Sequence, residues 1–146
     1  MEPDGLPGLR DLRGELDVVV GAACAVGEGL SGLREQTRAS LALYIGGMGA
    51  RGKNFYNELT VRYGFPDAAA TVQDLYLSGR KDEAAAAVPQ EMVDATSLVG
   101  PEGWVAERLA AFAEAGVTTL MLTFLQGTHA DRVRTVEQVK KMVSDL

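Results

Sequence analysis

The chain has 146 residues, of which 47% are hydrophobic and 23% are charged, and its formal net charge at pH 7 is -6. This size and balance fit one globular domain or part of one. The acidic charge without a basic face argues against nucleic acid as a partner, and no apolar run is long enough to cross a membrane. The single cysteine, Cys24, cannot form an internal disulfide, and the acidic N-terminus is unlike a signal peptide. Both features predict a cytoplasmic location.

Residues 1–15 are rich in glycine and proline, so we expect a poorly ordered N-terminal segment followed by the domain proper in residues 16–146. The continuous apolar run at residues 16–26, with three adjacent valines, is typical of a strand buried on both faces of a parallel sheet. Gly27 and Gly29 end this strand. The apolar spacing that follows predicts a helix over residues 31–45.

The next segment is the richest in glycine, with four within seven residues: Gly46, Gly47, Gly49 and Gly52. Arg51 and Lys53 add positive charge, and a helix is expected to begin near Asn54. A glycine-rich turn that leads into a helix N-terminus can bind an anion, because free N–H groups and the helix dipole point the same way. The alternative is a flexible connection between helices. The spacing is not that of a P-loop, which needs a hydroxyl at position 54. The dinucleotide fingerprint G-x-G-x-x-G does occur by letter, at Gly47, Gly49 and Gly52, but it must follow a strand, and a helix is predicted before it.

Helical patterns fill most of the remaining chain, and we predict helices at residues 54–63, 66–78, 81–88, 90–95, 101–115 and 131–143. Residues 117–124 are apolar and partly β-branched, which predicts a second strand, again buried on both faces. The last helix is expected to turn a stripe of valines inward, formed by Val133, Val136, Val139 and Val143.

This order of elements raises a physical problem. Two strands covered on both faces cannot form a parallel sheet alone, because each edge leaves backbone N–H and C=O groups unpaired. The order of elements therefore predicts that the chain is part of a larger α/β domain and is incomplete by itself. The missing strands would come from sequence outside the chain, from a partner chain or from self-association, and we expect a homo-oligomer.

Two blocks resemble the luciferase-like monooxygenase superfamily, in particular its deazaflavin-dependent oxidoreductase branch. The first is residues 41–59, L-A-L-Y-I-G-G-M-G-A-R-G-K-N-F-Y-N-E-L. The second is residues 88–123, which contains P-Q-E-M-V-D, S-L-V-G-P, E-R-L and E-A-G-V in the family's order. The resemblance covers about residues 15–146.

The resemblance implies the C-terminal portion of a (β/α)8 TIM barrel. Residues 16–26 would be the seventh barrel strand and residues 117–124 the eighth, with the helices between them as an insertion. The first six strands would be absent, in agreement with the argument from the unpaired strands.

The family also implies a reaction, the transfer of a hydride between coenzyme F420, or alternatively FMN, and a small organic substrate. Barrel active sites lie at the carboxyl ends of the strands. The resemblance suggests that Gly46, Gly47, Met48, Gly49, Arg51, Lys53 and Asn54 contact the cofactor. Residues around the cofactor ring come from the first half of such barrels, so this chain alone is expected to be inactive and to bind a cofactor weakly at most.

Other residues carry weaker hypotheses. His129, just after the second strand, could act as an acid or base, but an exposed loop histidine explains it as well. Met48 could line or plug a pocket, Asn54 could cap a helix, and Tyr44, Phe55 and Tyr56 could form an aromatic wall or pack in the core. The acidic residues and Cys24 show no metal-ligand spacing. A catalytic residue is not identified.

Two functions therefore remain open. One is an F420-dependent oxidoreductase of the luciferase-like kind, represented by its C-terminal part. The other is a non-catalytic interaction or remnant module that self-associates or pairs with a partner chain.

Overall fold

A small parallel sheet with helices on its flanks forms the frame, in a computed structural model that describes residues 16–125 and 127–146. The expectation for residues 1–15 lies outside these ranges, as does Gln126. The strands are β1 (Val19–Val26), β2 (Ser97–Gly100) and β3 (Thr119–Phe124). The α-helices are α1 (Ser31–Ala42), α2 (Phe55–Arg62), α3 (Pro66–Leu77), α4 (Lys81–Ala86), α5 (Gln90–Thr96), α6 (Glu102–Glu114) and α7 (His129–Ser144), and a π-helical segment (Leu43–Gly47) continues α1.

The first strand lies at the centre of the sheet, in the order β2-β1-β3. It pairs in parallel with β3 from Val19↔Thr119 to Cys24↔Phe124. This confirms the prediction that the two long apolar runs are parallel neighbours. Within the described ranges the strands form an open sheet, so the α/β class is confirmed while no closed barrel is seen.

The prediction of only two strands was wrong, because residues 97–100 form β2. This strand pairs in parallel with the carboxyl half of β1, from Ala23↔Ser97 to Val26↔Gly100. All four of its residues are buried. A run this short, placed directly after a helix, has no alternation or length from which a strand can be recognised.

Burial on both faces was predicted for both long strands, and for part of the sheet this was wrong. Along β3, exposed and half-buried residues alternate, with Met121 66% exposed, and Val19 at the start of β1 is 55% exposed. Only the carboxyl half of β1 is buried on both faces, where Cys24 and Ala25 are inaccessible. The amino half of the sheet therefore has one covered face and one open apolar face.

Helices α6 and α7 cover one face of this sheet. Val105 and Leu109 of α6 pack with Cys24, Leu98 and other residues in one hydrophobic cluster, in agreement with the predicted helix at residues 101–115. The prediction that α7 buries its stripe of four valines was wrong. The buried face of α7 is instead formed by Thr135, Val139 and Met142. The other three predicted valines are between 37% and 47% exposed.

The helices between β1 and β2 form a second hydrophobic cluster. Ala42, Ile45, Val72, Ala84 and Val93 pack together there, from α1, the π-helical segment and the helices α3 to α5. Pro at the first position of α3 confirms the predicted start of that helix. The insertion between the strands therefore has its own core.

Substituting Leu98 tests whether β2 belongs to the main core. Leu98 is completely buried, so Leu98→Ala should lower the free energy of unfolding by about 2–5 kcal/mol, because it removes apolar contacts and leaves a cavity. The matched control Leu77→Ala, at a leucine 45% exposed at the end of α3, should change it by less than about 0.5 kcal/mol. Urea unfolding followed by circular dichroism measures both, and equal losses would contradict the burial of β2.

Candidate functional site

The three strands of the sheet have a common carboxyl edge. Because all pairing is parallel, the strands end at the same edge, at Val26, Gly100 and Phe124. Helices α1, α6 and α7 begin a few residues later, so their N-termini lie near this edge. Loops at this edge carry the active sites of parallel barrels and open α/β sheets.

An arginine that the sequence analysis did not single out organises this edge. The Arg34 Nε donates to the carbonyl oxygen of Val99 at 2.9 Å, and Nη1 lies 3.5 Å from the Asp94 carboxylate. The guanidinium also stacks 5.2 Å from the centre of the Trp104 ring. A Cβ atom at Gly100 would lie 3.0 Å from both the guanidinium and the indole. Arg34 thus connects α1 to β2 and α6. These contacts join residues far apart in the chain, so no local pattern in the sequence predicts them.

The N-terminus of α7 holds the histidine considered as an acid or base. Thr128 caps this helix by accepting from the Asp131 N–H at 3.1 Å. The Thr128 hydroxyl, followed by Arg134, lowers the pKa of the Asp131 carboxyl. The negative charge that favours a helix N-terminus is therefore already supplied by Asp131. His129 is exposed, and none of the hydrogen bonds within the described ranges involves its ring.

The seven predicted cofactor residues lie away from this edge. Helix α1 has 12 residues and the π-helical segment has 5, which together are about 25 Å long at the usual rise per residue. Gly46 lies at the carboxyl end of this continuous helix, next to Ile45 of the second cluster. A ligand in contact with both places would have to span that distance.

The glycines at this end allow close packing against α3. A Cβ atom at Gly46 or Gly47 would lie 2.4 Å or 2.5 Å from atoms of the Tyr76 side chain, which is closer than atoms can approach. Gly52 has a φ of 70°, a conformation that other residues adopt at a cost. Packing and turn geometry therefore explain these glycines without a ligand.

Asn54 has the geometry of a helix cap, the alternative considered for it. Its side chain accepts from the N–H groups of Tyr56 and Asn57 and donates to the carbonyls of Tyr44 and Ile45 at 3.0 Å and 2.9 Å. The residue is only 2% exposed, so this amide is fully used inside the protein.

The remaining predicted residues differ in how far they are available to a ligand. Arg51 donates to the Asp74 carboxylate at 2.7 Å and 2.9 Å, and Gly49 is partly buried. Met48 is 53% exposed. Lys53 is exposed as well, and its ammonium has no ion-pair partner in the described part of the chain. These two side chains are the available ones.

An exposed aromatic cluster borders the same segment. Tyr44 and Tyr56 meet edge to face with ring centres 4.8 Å apart, and Phe55 lies 5.5 Å from Tyr56. These three residues are between 39% and 65% exposed, so core packing was the wrong alternative for them. A cleft of about 330 Å³ next to them is lined by Tyr44, Tyr56, Tyr63 and Met92, among others.

A larger cleft lies between β3, α6 and α7. Its volume is about 520 Å³, and its walls include Leu120, Leu122, Phe124, Val136 and Val143. It is apolar and lies away from the glycine segment.

Among the residues that the structure describes, no group of His, Cys, Asp and Glu side chains could hold a metal ion. None of the helices in those ranges has the length and apolar character needed to cross a membrane.

Cys24 is a packing residue in the described structure. It is completely buried in the main cluster, in agreement with the burial predicted for the strand at residues 16–26. Burial raises the pKa of its thiol from 9.0 to about 12, because the thiolate would be poorly solvated there. The thiol therefore stays protonated and unreactive at neutral pH.

Comparison with known proteins gives two matches. The sequence model of a family described as luciferase-like monooxygenase matches residues 10–119, from before β1 to the first residue of β3. The chain is also 35% identical, over 117 residues, to a Mycobacterium tuberculosis protein named as a coenzyme F420-dependent oxidoreductase. The match covers 80% of this chain but 34% of that relative, so the chain spans about a third of the relative's length.

Asn54 offers a test of the structural account of the glycine segment. Asn54→Ala should lower the free energy of unfolding by about 1–3 kcal/mol, because two carbonyls lose their buried donor and α2 loses its cap. Lys53→Ala, the exposed neighbour, should change it by less than about 0.5 kcal/mol. Thermal unfolding measures both. A fully stable Asn54 variant would mean that the amide is free for another role.

The Cys24 thiol predicts a pH dependence of stability. Its folded pKa lies above the unfolded value of 9.0, so the unfolded chain loses the proton first. The protonated thiol makes its full contribution to the free energy of unfolding below about pH 9. Above that pH the free energy of unfolding should fall by about 1.4 kcal/mol per pH unit. Urea unfolding at about pH 8 and about pH 10 should show a larger loss for the wild type than for Cys24→Ala. An equal loss in both proteins would contradict the raised pKa.

Proposed function

We propose a function from one premise: the chain belongs to the luciferase-like monooxygenase family. It acts as the C-terminal part of a coenzyme F420-dependent oxidoreductase built on a (β/α)8 barrel. The observation that carries this proposal is the family match over residues 10–119, joined by the identity to a relative named for F420.

The shape of the sheet supports the barrel. Parallel strands with helices on one face and an apolar opposite face are what a sector of such a barrel looks like. Val19 and Met121 point to that open face and are more than half exposed. In a complete barrel they would be covered by side chains of the remaining strands. The sixth barrel strand would pair with the edge of β1 that faces away from β3. In this structure β2 already occupies that edge along Ala23–Val26. The sixth strand would be limited to the amino half of β1, or β2 would move.

The residues of this chain fit the anionic tail of a deazaflavin coenzyme and do not form a complete site for its ring. When bound, the coenzyme donates or accepts the hydride. In this chain the exposed Lys53 ammonium offers a counter-charge to an anionic tail, while Met48 and the aromatic cluster next to it offer apolar contact. FMN also carries an anionic phosphate, so these residues suit either cofactor. The remaining contacts to the ring would come from residues outside this chain.

The second function is a non-catalytic module. The open apolar face around Val19 and Met121 favours it, because such a patch marks an interface or an aggregation risk. In this case the chain would associate with itself or with a partner chain and would bind no cofactor.

A coenzyme titration separates the two functions. Fluorescence titration of the M. tuberculosis relative with coenzyme F420 should show tight binding. Substituting the residue aligned with Lys53 by alanine should weaken it by about 1–3 kcal/mol, the scale for a charged hydrogen-bond partner. The isolated chain should bind weakly or not at all, and a parallel titration with FMN decides between the cofactors.

The control is alanine at the position aligned with Arg62, which is exposed at the end of α2 and should leave binding unchanged. If the Lys53-equivalent variant binds as well as the wild type, the glycine segment is a connector. If the relative neither binds F420 nor transfers hydride to any acceptor tested, the proposed activity is wrong.

A further inference from the structure

The cleft beside the aromatic cluster is formed by the helices between β1 and β2. Its walls come from α1, the π-helical segment, α2 with the residue that follows it, and α5, and none of the lining residues in the described ranges belongs to a strand. These helices have their own hydrophobic cluster. The walls of the cleft are therefore built by this chain, without the strands that a barrel would add to the sheet.

The cleft has a buried base and an exposed rim. Ile45, Thr60 and Met92 line it and are only 2% to 6% exposed. The three tyrosines that line it are between 39% and 62% exposed. Its volume of about 330 Å³ lies at the lower end of the range for ligand pockets, about 300–1,000 Å³. A small molecule can therefore enter from the tyrosine rim and reach the base.

The lining of the cleft contains no charged side chain in the described ranges. It consists of two leucines, an isoleucine, a methionine, three tyrosines and two threonines. An ion in this place would lose its hydration without gaining a partner, which is costly. The composition of the lining therefore selects an uncharged and largely apolar occupant.

The polar groups of the cleft differ in how far they are already bonded. The Thr60 hydroxyl donates to the Tyr56 carbonyl at 2.8 Å, and the Thr96 hydroxyl donates to the Met92 carbonyl at 2.6 Å. None of the hydrogen bonds within the described ranges involves the hydroxyls of the three tyrosines. A tyrosine ring packs on apolar surface while its hydroxyl bonds to a polar group. These hydroxyls are thus available to a polar group of an occupant.

The wall that carries Tyr44 is held in place by two asparagines. Asn54 donates to the Tyr44 and Ile45 carbonyls at 3.0 Å and 2.9 Å, and Asn57 donates to the Ile45 carbonyl at 3.2 Å. Both carbonyls belong to the π-helical segment, and π-helical turns are rare and occur frequently at functional sites. A wall that is already fixed loses little freedom when a ligand binds.

We propose that this cleft is a binding site for a small, uncharged aromatic molecule that carries one hydroxyl or carbonyl group. The aromatic ring packs against the tyrosine rings and the Met92 thioether, both of which are favourable contacts for it. The polar group bonds to a tyrosine hydroxyl at the rim. A charged molecule of the same shape is rejected, because no side chain of the cleft pairs with its charge.

The site goes beyond the proposed function, because it needs neither the coenzyme nor a strand from outside the chain. Lys53, proposed for the anionic tail of the coenzyme, does not line the cleft. Tyr44 and Tyr56 border both places, so the test leaves these two residues unchanged.

The test is a fluorescence titration of the full chain with 2-naphthol, which is uncharged at neutral pH. In water the excited molecule loses its hydroxyl proton and emits at a longer wavelength, whereas in a cleft that excludes water it emits as the neutral form. The wild type should bind it with a Kd below about 1 mM, as expected for a small apolar ligand. The anion 2-naphthoate has the same rings and should bind at least about tenfold more weakly.

Two tryptophan substitutions assign the probe to one cleft. Thr96→Trp places a ring at an exposed residue of the lining and should weaken the binding of 2-naphthol at least about tenfold. The matched control is Val136→Trp, at a residue 37% exposed that lines the larger cleft beside β3, and it should leave the Kd unchanged. Circular dichroism checks that both variants fold. Leu59→Glu, which puts a charge at a half-buried position of the wall, should also weaken binding and replaces Thr96→Trp if that variant is unfolded.

Three results overturn the proposal. The first is a wild type that leaves the emission of 2-naphthol unchanged up to about 1 mM. The second is an equal affinity for 2-naphthoate. The third is a Kd that Val136→Trp raises while Thr96→Trp or Leu59→Glu does not, because the probe would then occupy the larger cleft. None of these measurements involves coenzyme F420, so the failure of this site and the failure of the proposed function are distinguishable.

Discussion

The parallel pairing of β1 with β3 is the contact on which the rest of the structure depends. It joins residues about a hundred positions apart in the chain, from Val19↔Thr119 to Cys24↔Phe124. The entropy of closing so long a loop grows only slowly with its length, by about 0.6 kcal/mol per doubling. A paired strand with an apolar layer behind it can offset that cost. Because β1 also pairs with β2, a single central strand holds both ends of the described chain together.

The helices between β1 and β2 pack mainly against one another. Its helices have their own apolar cluster, and the glycine segment is part of that packing, with Gly46 and Gly47 against Tyr76. Arg34 connects this helical part to the sheet through Val99 and Trp104. The insertion can therefore carry an exposed lysine and an aromatic cluster at its far end without weakening the sheet. Surface side chains on a rigid support are the usual arrangement for ligand contact.

The open side of β3 links the family to the proposed function. Buried backbone N–H and C=O groups must be paired, and those of β3 have no partner strand in the described ranges. In a luciferase-like barrel the next strand would supply it, and the relative is about three times as long as the matched segment.

The sequence by itself determined the class of the fold and the elements with a clear period. The apolar runs of β1 and β3, the proline start of α3 and the helix around Val105 could be predicted because their pattern is local. The family could be recognised as well, since its motifs are contiguous. Asn54 was recognised as a possible cap, but local pattern could not decide between cap and ligand. Only the tertiary structure decided that, because its amide is occupied by backbone carbonyls of the π-helical segment. The tertiary structure also decided the existence of β2, the direction of the buried stripe on α7 and the role of Arg34. Each of these depends on which distant surface lies opposite a residue, and the period of a segment contains no information about that surface.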